Sequence, residues 1–283
     1  MKKKLIALSL AVVLVLALAA CTGGTEPTQQ PGASNTPKTE TVKLKVAASA
    51  TPHAEILAQV KDDLAEQGID LVVTEYGDYV IPNTAVEDGD EDVNYFQHQP
   101  YLDQFNAENN THLVSVAAIH YEPLGIYPGK TAALADLPDG ALIGVPNDAT
   151  NEARALQLLE AQGLIKVREG AGLNATPNDI VDNPRNLKFK ELEAAMLPNV
   201  TTEMDLAVIN GNYALQAGFS SAKDALALED AQSEAAQTFA NVIVVKEGNE
   251  NNEAVKALVK ALQSDKVKDY INNTYEGNVQ PIF

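Results

Sequence analysis

The 283-residue sequence has one cysteine, no tryptophan and few basic residues. A single cysteine excludes a disulfide within the chain, so packing and hydrogen bonds must hold the fold. Lys and Arg number 20 against 39 Asp and Glu, giving a net charge of −19. This acidic excess argues against nucleic acid and against an anionic lipid surface as partners. It favours solubility but does not identify a ligand.

The amino terminus predicts a secretory signal over residues 1–20. A basic stretch, Lys2–Lys4, precedes an apolar run from Leu5 to Leu18, which is too short and wrongly flanked for a stable membrane span. The residues Leu18-Ala19-Ala20-Cys21 resemble a bacterial lipobox. We therefore expect Cys21 to carry lipid and to anchor the protein on the extracytoplasmic face of the cell membrane. The alternative is a secreted protein with an ordinary cleavage site and an incidental cysteine.

Residues 21–41 are rich in Thr, Pro, Gly and Gln and carry no large apolar side chain. Such a composition cannot bury enough surface to fold, so it predicts a flexible tether. From residue 42 onward, short β-rich runs alternate with helical ones, which indicates an α/β protein. The strands are short and numerous, which favours two lobes over a single sheet. We predict lobe 1 over 42–122 and 225–283 and lobe 2 over 123–224, with crossovers near 120–127 and 222–229.

Aromatic residues concentrate between residues 76 and 105, around the end of a predicted strand at 92–96. The six are Tyr76, Tyr79, Tyr95, Phe96, Tyr101 and Phe105. Ligands in open α/β sheets bind beyond the carboxyl ends of strands, so this cluster predicts a binding wall. Ordinary core packing explains the same rings equally well on composition alone. The polar residues Gln97, His98 and Gln99 among the rings favour the binding site.

A second signal is the segment from Pro146 to Arg154, where a strand ends and a helix begins. A helix N-terminus offers free N–H groups and a positive dipole end. Asn151 and Arg154 are three residues apart and so share a helix face. A guanidinium can hold a carboxylate through two parallel hydrogen bonds. The competing interpretation is a surface ion pair between Arg154 and Glu152 or Glu160.

A third signal is Asn210, which follows the apolar strand 206–209 and could accept a hydrogen bond from an ammonium group. An ordinary Asn-Gly turn fits the same residues. The four histidines show no metal-ligand spacing and no cysteines accompany them, so we predict no metal and no cofactor. P-loop, Gly-x-Ser-x-Gly and Gly-x-Gly-x-x-Gly motifs are absent from the sequence. We therefore predict a protein that is not an enzyme.

Several segments together resemble the methionine-binding lipoproteins of ABC importers, the NlpA family. They run in family order along nearly the whole mature chain and are 76–83, 94–102, 122–127, 145–148 with Asn151 and Arg154, 163–166, 183–187, 191–194 and 207–210. The resemblance implies a two-lobed periplasmic-binding-protein-like fold with a hinge and a ligand cleft between the lobes. It implies capture of L-methionine or a related amino acid for an ABC permease and its ATPase. The alternative is a receptor for D-methionine, a methionine derivative or another apolar amino acid.

The resemblance also implies roles for particular residues. Arg154 would bind the ligand carboxylate, with Asn151 beside it, and Asn210 would bind the ammonium. The thioether side chain would lie among Tyr76, Tyr79, Phe96, His98 and Tyr101. Members of the family often carry Phe where this chain has Tyr76, and a small residue where it has Asn212.

Overall fold

The computed structural model describes residues 41–230 and 237–283. The predicted signal at 1–20, Cys21, and the predicted tether up to residue 40 lie outside the described residues. Within the described part, no helix has both the length and the apolar character to cross a bilayer. The described strands are β1 (Val42–Ala48), β2 (Ile69–Glu75), β3 (Val93–His98), β4 (Leu113–Tyr121), β5 (Gly125–Pro128), β6 (Leu142–Pro146), β7 (Lys166–Val167), β8 (Ile180–Asp182), β9 (Lys188–Leu192), β10 (Leu206–Ile209), β11 (Ala227–Leu228), β12 (Asn241–Lys246) and β13 (Gln280–Pro281).

The helices connect these strands and cover the sheets. The α-helices are α1 (Glu55–Ala58), α2 (Lys61–Ala65), α3 (Ile81–Asp88), α4 (Gln99–Asn109), α5 (Ala149–Ala161), α6 (Gly211–Gln216), α7 (Ser221–Asp224), α8 (Glu253–Leu262) and α9 (Asp265–Tyr275). A π-helical turn covers Ala50–Ala54, and 3-10 turns cover Leu134–Asp136, Gly172–Asn174, Pro177–Asp179 and Ala194–Glu203.

The fold contains two main sheets, one in each lobe. The larger has the order β13-β4-β12-β3-β1-β2 and the smaller the order β11-β5-β10-β6-β9, while β7 and β8 form a two-stranded ribbon. Each main sheet mixes parallel and antiparallel pairs: β1 lies parallel to β2 and β3, and β12 runs antiparallel to β3 and β4. The mixed sheets and the two-lobed α/β architecture agree with the predicted fold class.

The apolar pattern of residues 53–67 predicts one helix with Ile56, Leu57, Val60 and Leu64 on a single face, and the structure differs from this prediction. The helical region is divided, because Gln59 and Val60 donate backbone hydrogen bonds to the carbonyls of Ile56 and Leu57 at 3.1 and 3.2 Å. These bonds to the third preceding residue tighten the turn and end α1 before α2 begins. The apolar face predicted for this region is nevertheless continuous, since Ile56, Leu57, Val60 and Leu64 are all buried in the core of the larger sheet.

The return from the smaller sheet to the larger one follows strand β11, which lies within the crossover predicted near 222–229. Ala227 and Leu228, which the sequence prediction assigned to lobe 1, pair with Ile126 and Gly125 as strand β11 of the smaller sheet. Gly125 permits this approach, since a Cβ there would lie 3.1 Å from the Leu228 side chain. The chain therefore leaves the smaller sheet only after Leu228.

Many residues of the candidate site lie at or just after the ends of three strands. Strand β3 ends at His98 and leads into α4, β6 ends at Pro146 ahead of α5, and β10 ends at Ile209 ahead of α6. In each case the first residues of the following helix have backbone N–H groups without partners inside that helix. Polar side chains therefore collect at the edges where the two sheets face each other.

Candidate ligand-binding site

A small cavity of about 20 Å³ lies between the two sheets. Its walls come from both lobes. The lining residues are Tyr79, Phe96, Gln97, His98, Tyr101, Glu122, Asn151, Arg154, Asn210, Gly211, Asn212 and Asn241. Seven of the eight residues predicted to bind ligand lie in this wall, the exception being Tyr76. Their roles toward a ligand stay predictions.

Tyr76 does not reach the cavity. Its backbone N–H donates to the carbonyl of Ala48 at 2.9 Å, continuing the ladder between β1 and β2. Its hydroxyl lies 3.4 Å from a carboxylate oxygen of Glu91, and Tyr76 is not among the residues that line the cavity. The contact between Tyr76 and a ligand side chain therefore stays a prediction, without support from the cavity lining.

An aromatic wall forms one side of the cavity. The Tyr79 ring lies 5.7 Å from the centres of both Phe96 and Tyr101, and 4.8 Å from that of Tyr213 across the cleft. These are ordinary distances for interacting rings. Because Tyr79 and Tyr101 also line a groove outside the cavity, they separate the enclosed space from solvent.

A hydrogen bond between the lobes closes this aromatic side. The Tyr79 hydroxyl donates to Oδ1 of Asn212, at the start of α6, over 2.5 Å. Burial raises the pKa of Tyr79 well above its usual value, so the hydroxyl keeps its proton and acts as the donor. Tyr79 follows β2 of the larger sheet and Asn212 follows β10 of the smaller one. The bond therefore joins the two lobes at the cavity mouth.

A second chain of hydrogen bonds crosses the cleft at the polar end. His98 Nδ1 accepts from the backbone N–H of Tyr101 at 3.2 Å, so its proton sits on Nε2. That Nε2 donates to Oδ1 of Asn151 at 3.1 Å, and the same oxygen accepts from Nδ2 of Asn210 at 2.8 Å. Asp148 caps α5 and holds the Asn151 side chain at 2.8 Å. Asn151 is thus fixed from three sides.

Arg154 is buried, with 4% of its side chain exposed, and it pairs with Glu229. Nε donates to Oε1 of Glu229 at 2.7 Å, and Nη2 donates to Oε2 at 2.5 Å. Nη2 also donates to the backbone carbonyl of Glu122 at 2.8 Å. The competing interpretation, a surface pair with Glu152 or Glu160, is therefore wrong. The two-bond face of the guanidinium, predicted to hold a ligand carboxylate, is occupied by Glu229.

Two buried polar atoms of the cavity wall have no hydrogen-bond partner among the described residues. They are the acceptor Oδ1 of Asn210 and the donor Nδ2 of Asn212. An unpaired buried polar atom costs about 1–3 kcal/mol, so such atoms are normally satisfied by something that binds. One free acceptor and one free donor on the same short turn match a ligand that carries both a donor and an acceptor. An α-amino acid head group has both.

Four further candidate residues were not assigned a role by the sequence prediction. Glu122 and Asn212 lie next to strand ends, and both belong to segments already singled out, so their position was a usable signal. Asn241 begins β12, which enters the larger sheet antiparallel and therefore brings its first residue to the same edge. Glu229 lies 75 residues from its partner Arg154, and no local pattern in the sequence connects the two.

The three buried histidines should remain neutral over the physiological range. Burial is the largest cause that lowers the pKa of His53 to about 4 and of His98 and His120 to about 3. Since these folded-state values lie below the ordinary 6.5, each ring contributes stability above pH 6.5 that is lost as the pH falls through 4 to 3. We expect nitrogen-15 NMR of the folded protein to show all three rings uncharged at pH 5. The same rings should titrate near pH 6.5 in urea. A folded-state midpoint near 6.5 for any of them would contradict this.

Comparison with known proteins places the chain among relatives of the same size and shape. It is 39% identical to the methionine-binding lipoprotein MetQ of Bacillus subtilis over 99% of each chain. A solved nutrient-binding protein of Burkholderia cenocepacia, bound to methionine, is 44% identical, with a TM-score of 0.81 over 85% of this chain and all of that one. A solved periplasmic substrate-binding protein of an ABC transporter from Coxiella burnetii is 38% identical, with a TM-score of 0.79 over 84% of this chain and all of that one.

The family assignment rests on almost the whole folded region. The sequence pattern of the NlpA lipoproteins matches residues 44–283, from the first strand to the last residue. The match includes both sheets and every residue of the cavity wall. The full-length identity to a curated relative agrees with it. The chain therefore belongs to the NlpA lipoprotein family.

Proposed function

We propose that this protein captures methionine outside the membrane and delivers it to an ABC importer. The observation that carries the proposal is the cavity between the lobes. It combines an aromatic wall with one acceptor and one donor at its polar end that have no partner in the described part of the chain. Methionine is a zwitterion with a flexible apolar tail and needs these features together. The names of the relatives support the same ligand. Capture and release require no catalytic group.

The head group of the ligand lies at the polar end of the cavity. Arg154 meets the ligand carboxylate through Nη1, because Glu229 holds Nε and Nη2. Nδ2 of Asn212 supplies a second donor to that carboxylate, and Oδ1 of Asn210 accepts from the ammonium. Asn151 does not need a free hydrogen bond for this purpose. It fixes the positions of His98 and Asn210 on either side of the cleft.

The tail of the ligand lies against Tyr79, Phe96, Tyr101 and His98. Burying a methionine side chain contributes about 1.5–3 kcal/mol. Contacts between the sulfur and aromatic rings add about 0.3–1.5 kcal/mol. The carbon analogue norleucine keeps the shape and loses only the sulfur contacts. It should therefore bind more weakly than methionine by a factor of about 2 to 13.

The location follows from the amino terminus and the family. Lipid on Cys21 holds the protein at the extracytoplasmic face of the cell membrane. A permease with a cytoplasmic ATPase receives the ligand. Uptake of labelled methionine into cells that lack this protein would fall, and would recover with the intact chain but not with Cys21→Ala. Recovery by the Cys21→Ala chain would reject the anchor.

Native mass spectrometry and calorimetry test the ligand directly. We expect the protein as purified to carry a mass matching methionine, since closed receptors often retain ligand. After ligand removal, calorimetry with L-methionine, D-methionine, norleucine and alanine should give the tightest binding for one methionine enantiomer. Tighter binding of another apolar amino acid would make that amino acid the ligand. Absence of heat with every one of the four would reject the proposal.

A further inference from the structure

A pair of acidic side chains lies beside α5, outside the cavity wall. Glu152 is in the first turn of α5 and only 5% exposed, whereas Glu191 on β9 is exposed to solvent. The two carboxyl groups are hydrogen-bonded to each other. Oε1 of Glu152 is buried and has no partner among the described residues. Neither residue lines the cavity, so the proposed ligand contacts do not use them.

The topology of the smaller sheet brings these two residues together. Strand β9 pairs in parallel with β6, and Glu191 lies beside Val145, near the end of β6. Helix α5 begins at Ala149, just after β6, and packs against that strand. The first turn of the helix therefore lies close to the end of β9.

The hydrogen bond between the two carboxyl groups requires one proton, because ionised carboxylates are acceptors only. The pKa of Glu152 is raised to about 7, with burial as the largest cause, followed by Glu191 and by Asp148. Glu152 therefore holds the proton at and below neutral pH. One proton satisfies both side chains and leaves the negative charge on the exposed Glu191.

No cationic side chain offsets these acids within the part of the chain that the structure describes. Arg154 belongs to the same helix, but it pairs with Glu229. Lys190 on β9 lies 3.9 Å from a carboxylate oxygen of Glu203. Strand β6 and the turn Gly172–Asn174, which also pack against α5, carry no titratable side chain.

The other two elements that pack against α5 supply no countercharge either. On α4, Asp103 and Glu108 accept hydrogen bonds from glutamines of their own helix at 2.7 and 2.6 Å. Strand β7 packs at the far end of α5, where the Val167 backbone N–H donates to Glu160 at 3.0 Å. Loss of the proton from Glu152 would therefore leave a buried carboxylate beside other acids, which is expensive.

The same turn of α5 holds a residue that bridges the cleft. The backbone N–H of Glu152 donates to the carbonyl of Asp148 at 2.8 Å. Oδ1 of Asp148 accepts from the backbone and the side chain of Asn151 at 3.0 and 2.8 Å. Asn151 in turn joins His98 and Asn210 across the cleft. An ionised Glu152 reaches water only if this turn loosens, and Asn151 then loses its fixed position.

We infer that Glu152 and Glu191 share one proton, and that its loss to water through the exposed Glu191 loosens the first turn of α5 and weakens the bonds of Asn151 across the cleft. The pair makes the protein sensitive to the pH of its surroundings, with ligand held more tightly at acidic than at alkaline pH. The effect on ligand rests on the proposed function, whereas the shared proton does not.

Denaturation of ligand-free protein at pH 5 and pH 8 tests the shared proton. The folded-state pKa of about 7 lies above the ordinary 4.5, so the stability that the pair contributes is complete below pH 4.5 and is lost as the pH rises through 7. The unfolding equilibrium constant of wild type should rise over this range by about 10- to 100-fold more than that of Glu152→Gln, which stays neutral. Equal changes in both proteins would overturn the inference.

Glu160→Gln is the matched control, because Glu160 belongs to the same helix but accepts from a backbone N–H instead of facing an acid. It should keep the wild-type pH profile. Glu191→Gln removes the acid that shares the proton, so its loss of stability should begin at lower pH. An unchanged profile in Glu191→Gln would reject the sharing. Carbon-13 NMR of the Glu152 carboxyl should give a midpoint near 7, and a midpoint near 4.5 would contradict the inference.

Stopped-flow dissociation of methionine over the same pH range tests the link to the cleft. The rate should increase by about 3-fold or more in wild type relative to Glu152→Gln. At pH 8, backbone amides in the first turn of α5 should also exchange hydrogen faster in wild type, even without ligand. Equal rates of dissociation and of exchange in both proteins would overturn the link. If wild type binds no methionine, the proposed function fails, and stability and exchange still decide on the proton pair.

Calcium distinguishes a shared proton from a shared cation. We expect millimolar calcium to leave the stability of wild type at pH 8 unchanged relative to Glu152→Gln. Calcium that stabilises wild type but not Glu152→Gln would place a cation between the two carboxylates and would overturn the inference.

Discussion

Arg154→Ala should lower the free energy of unfolding by about 3–5 kcal/mol, even without ligand. Among the residues that the structure describes, the substitution leaves the buried Glu229 carboxylate with the Tyr121 hydroxyl and the Leu124 backbone N–H as donors, at 2.7 and 2.9 Å. A buried charge that loses its ionic partner is strongly destabilising. Chemical denaturation of ligand-free protein measures the effect. The same variant should bind methionine more weakly by about 2–5 kcal/mol, because the ligand carboxylate also loses its cation.

Glu229→Gln is the matched control for this prediction. It removes the charge of the partner while keeping its size, so the double variant Arg154→Ala with Glu229→Gln should recover part of the lost stability. Binding should not recover, since the guanidinium is still missing. Additive losses of stability in the double variant would show that the two side chains are not coupled. Unchanged methionine affinity in Arg154→Ala would show that this arginine does not meet the ligand.

Tyr79→Phe should weaken methionine binding by about 5- to 150-fold without a comparable loss of stability. The substitution keeps the ring against Phe96, Tyr101 and Tyr213 and removes only the hydroxyl that donates to Asn212 across the cleft. Asn212 then keeps a buried acceptor that nothing satisfies. The lost hydrogen bond destabilises only the closed arrangement of the lobes, because Asn212 can bond to water when the cleft is open. We therefore expect the change mainly in the dissociation rate, measured by stopped-flow fluorescence.

Tyr213→Phe is a suitable comparison for Tyr79→Phe. The Tyr213 hydroxyl lies 3.3 Å from the carbonyl of Gly77, also across the cleft, but Tyr213 does not line the cavity. It should weaken binding less, because the bond is longer and its loss leaves no cavity atom unpaired. Equal losses in both variants would mean that any contact between the lobes has the same effect. An unchanged dissociation rate in Tyr79→Phe would reject the closing role of its hydroxyl.

Much of the candidate site was predictable from the ends of strands. His98 ends β3 of the larger sheet, while Arg154 and Asn210 follow β6 and β10, which are parallel neighbours in the smaller sheet and end at the same edge of it. The structure places all three in one cavity wall. Tyr76 shows the limit of this reasoning. It lies near the same kind of strand end, but the ladder with Ala48 continues through it, and only the turn after Gly77 directs Tyr79 to the cleft.

The pairing of Glu229 with Arg154 could not be predicted from the sequence, for a different reason. Arg154 was predicted to bind a ligand carboxylate, with a surface ion pair to Glu152 or Glu160 as the competing interpretation. The true partner comes from the return crossover after β11, a region where the sequence has neither periodicity nor a recognisable motif. Pairing between distant segments depends on how two lobes pack, and local patterns carry no information about it. The same holds for Asn241, which reaches the cavity only because β12 enters antiparallel.

One carboxylate connects the hinge to the recognition of the ligand. Glu229 lies on the returning crossover, accepts bonds from Tyr121 and Leu124 on the outgoing crossover, and holds the guanidinium of Arg154. In the proposed site, a ligand carboxylate bound to Arg154 would be joined through Glu229 to both connecting segments. A substitution at Glu229 should therefore change both the affinity for the ligand and the balance between open and closed lobes.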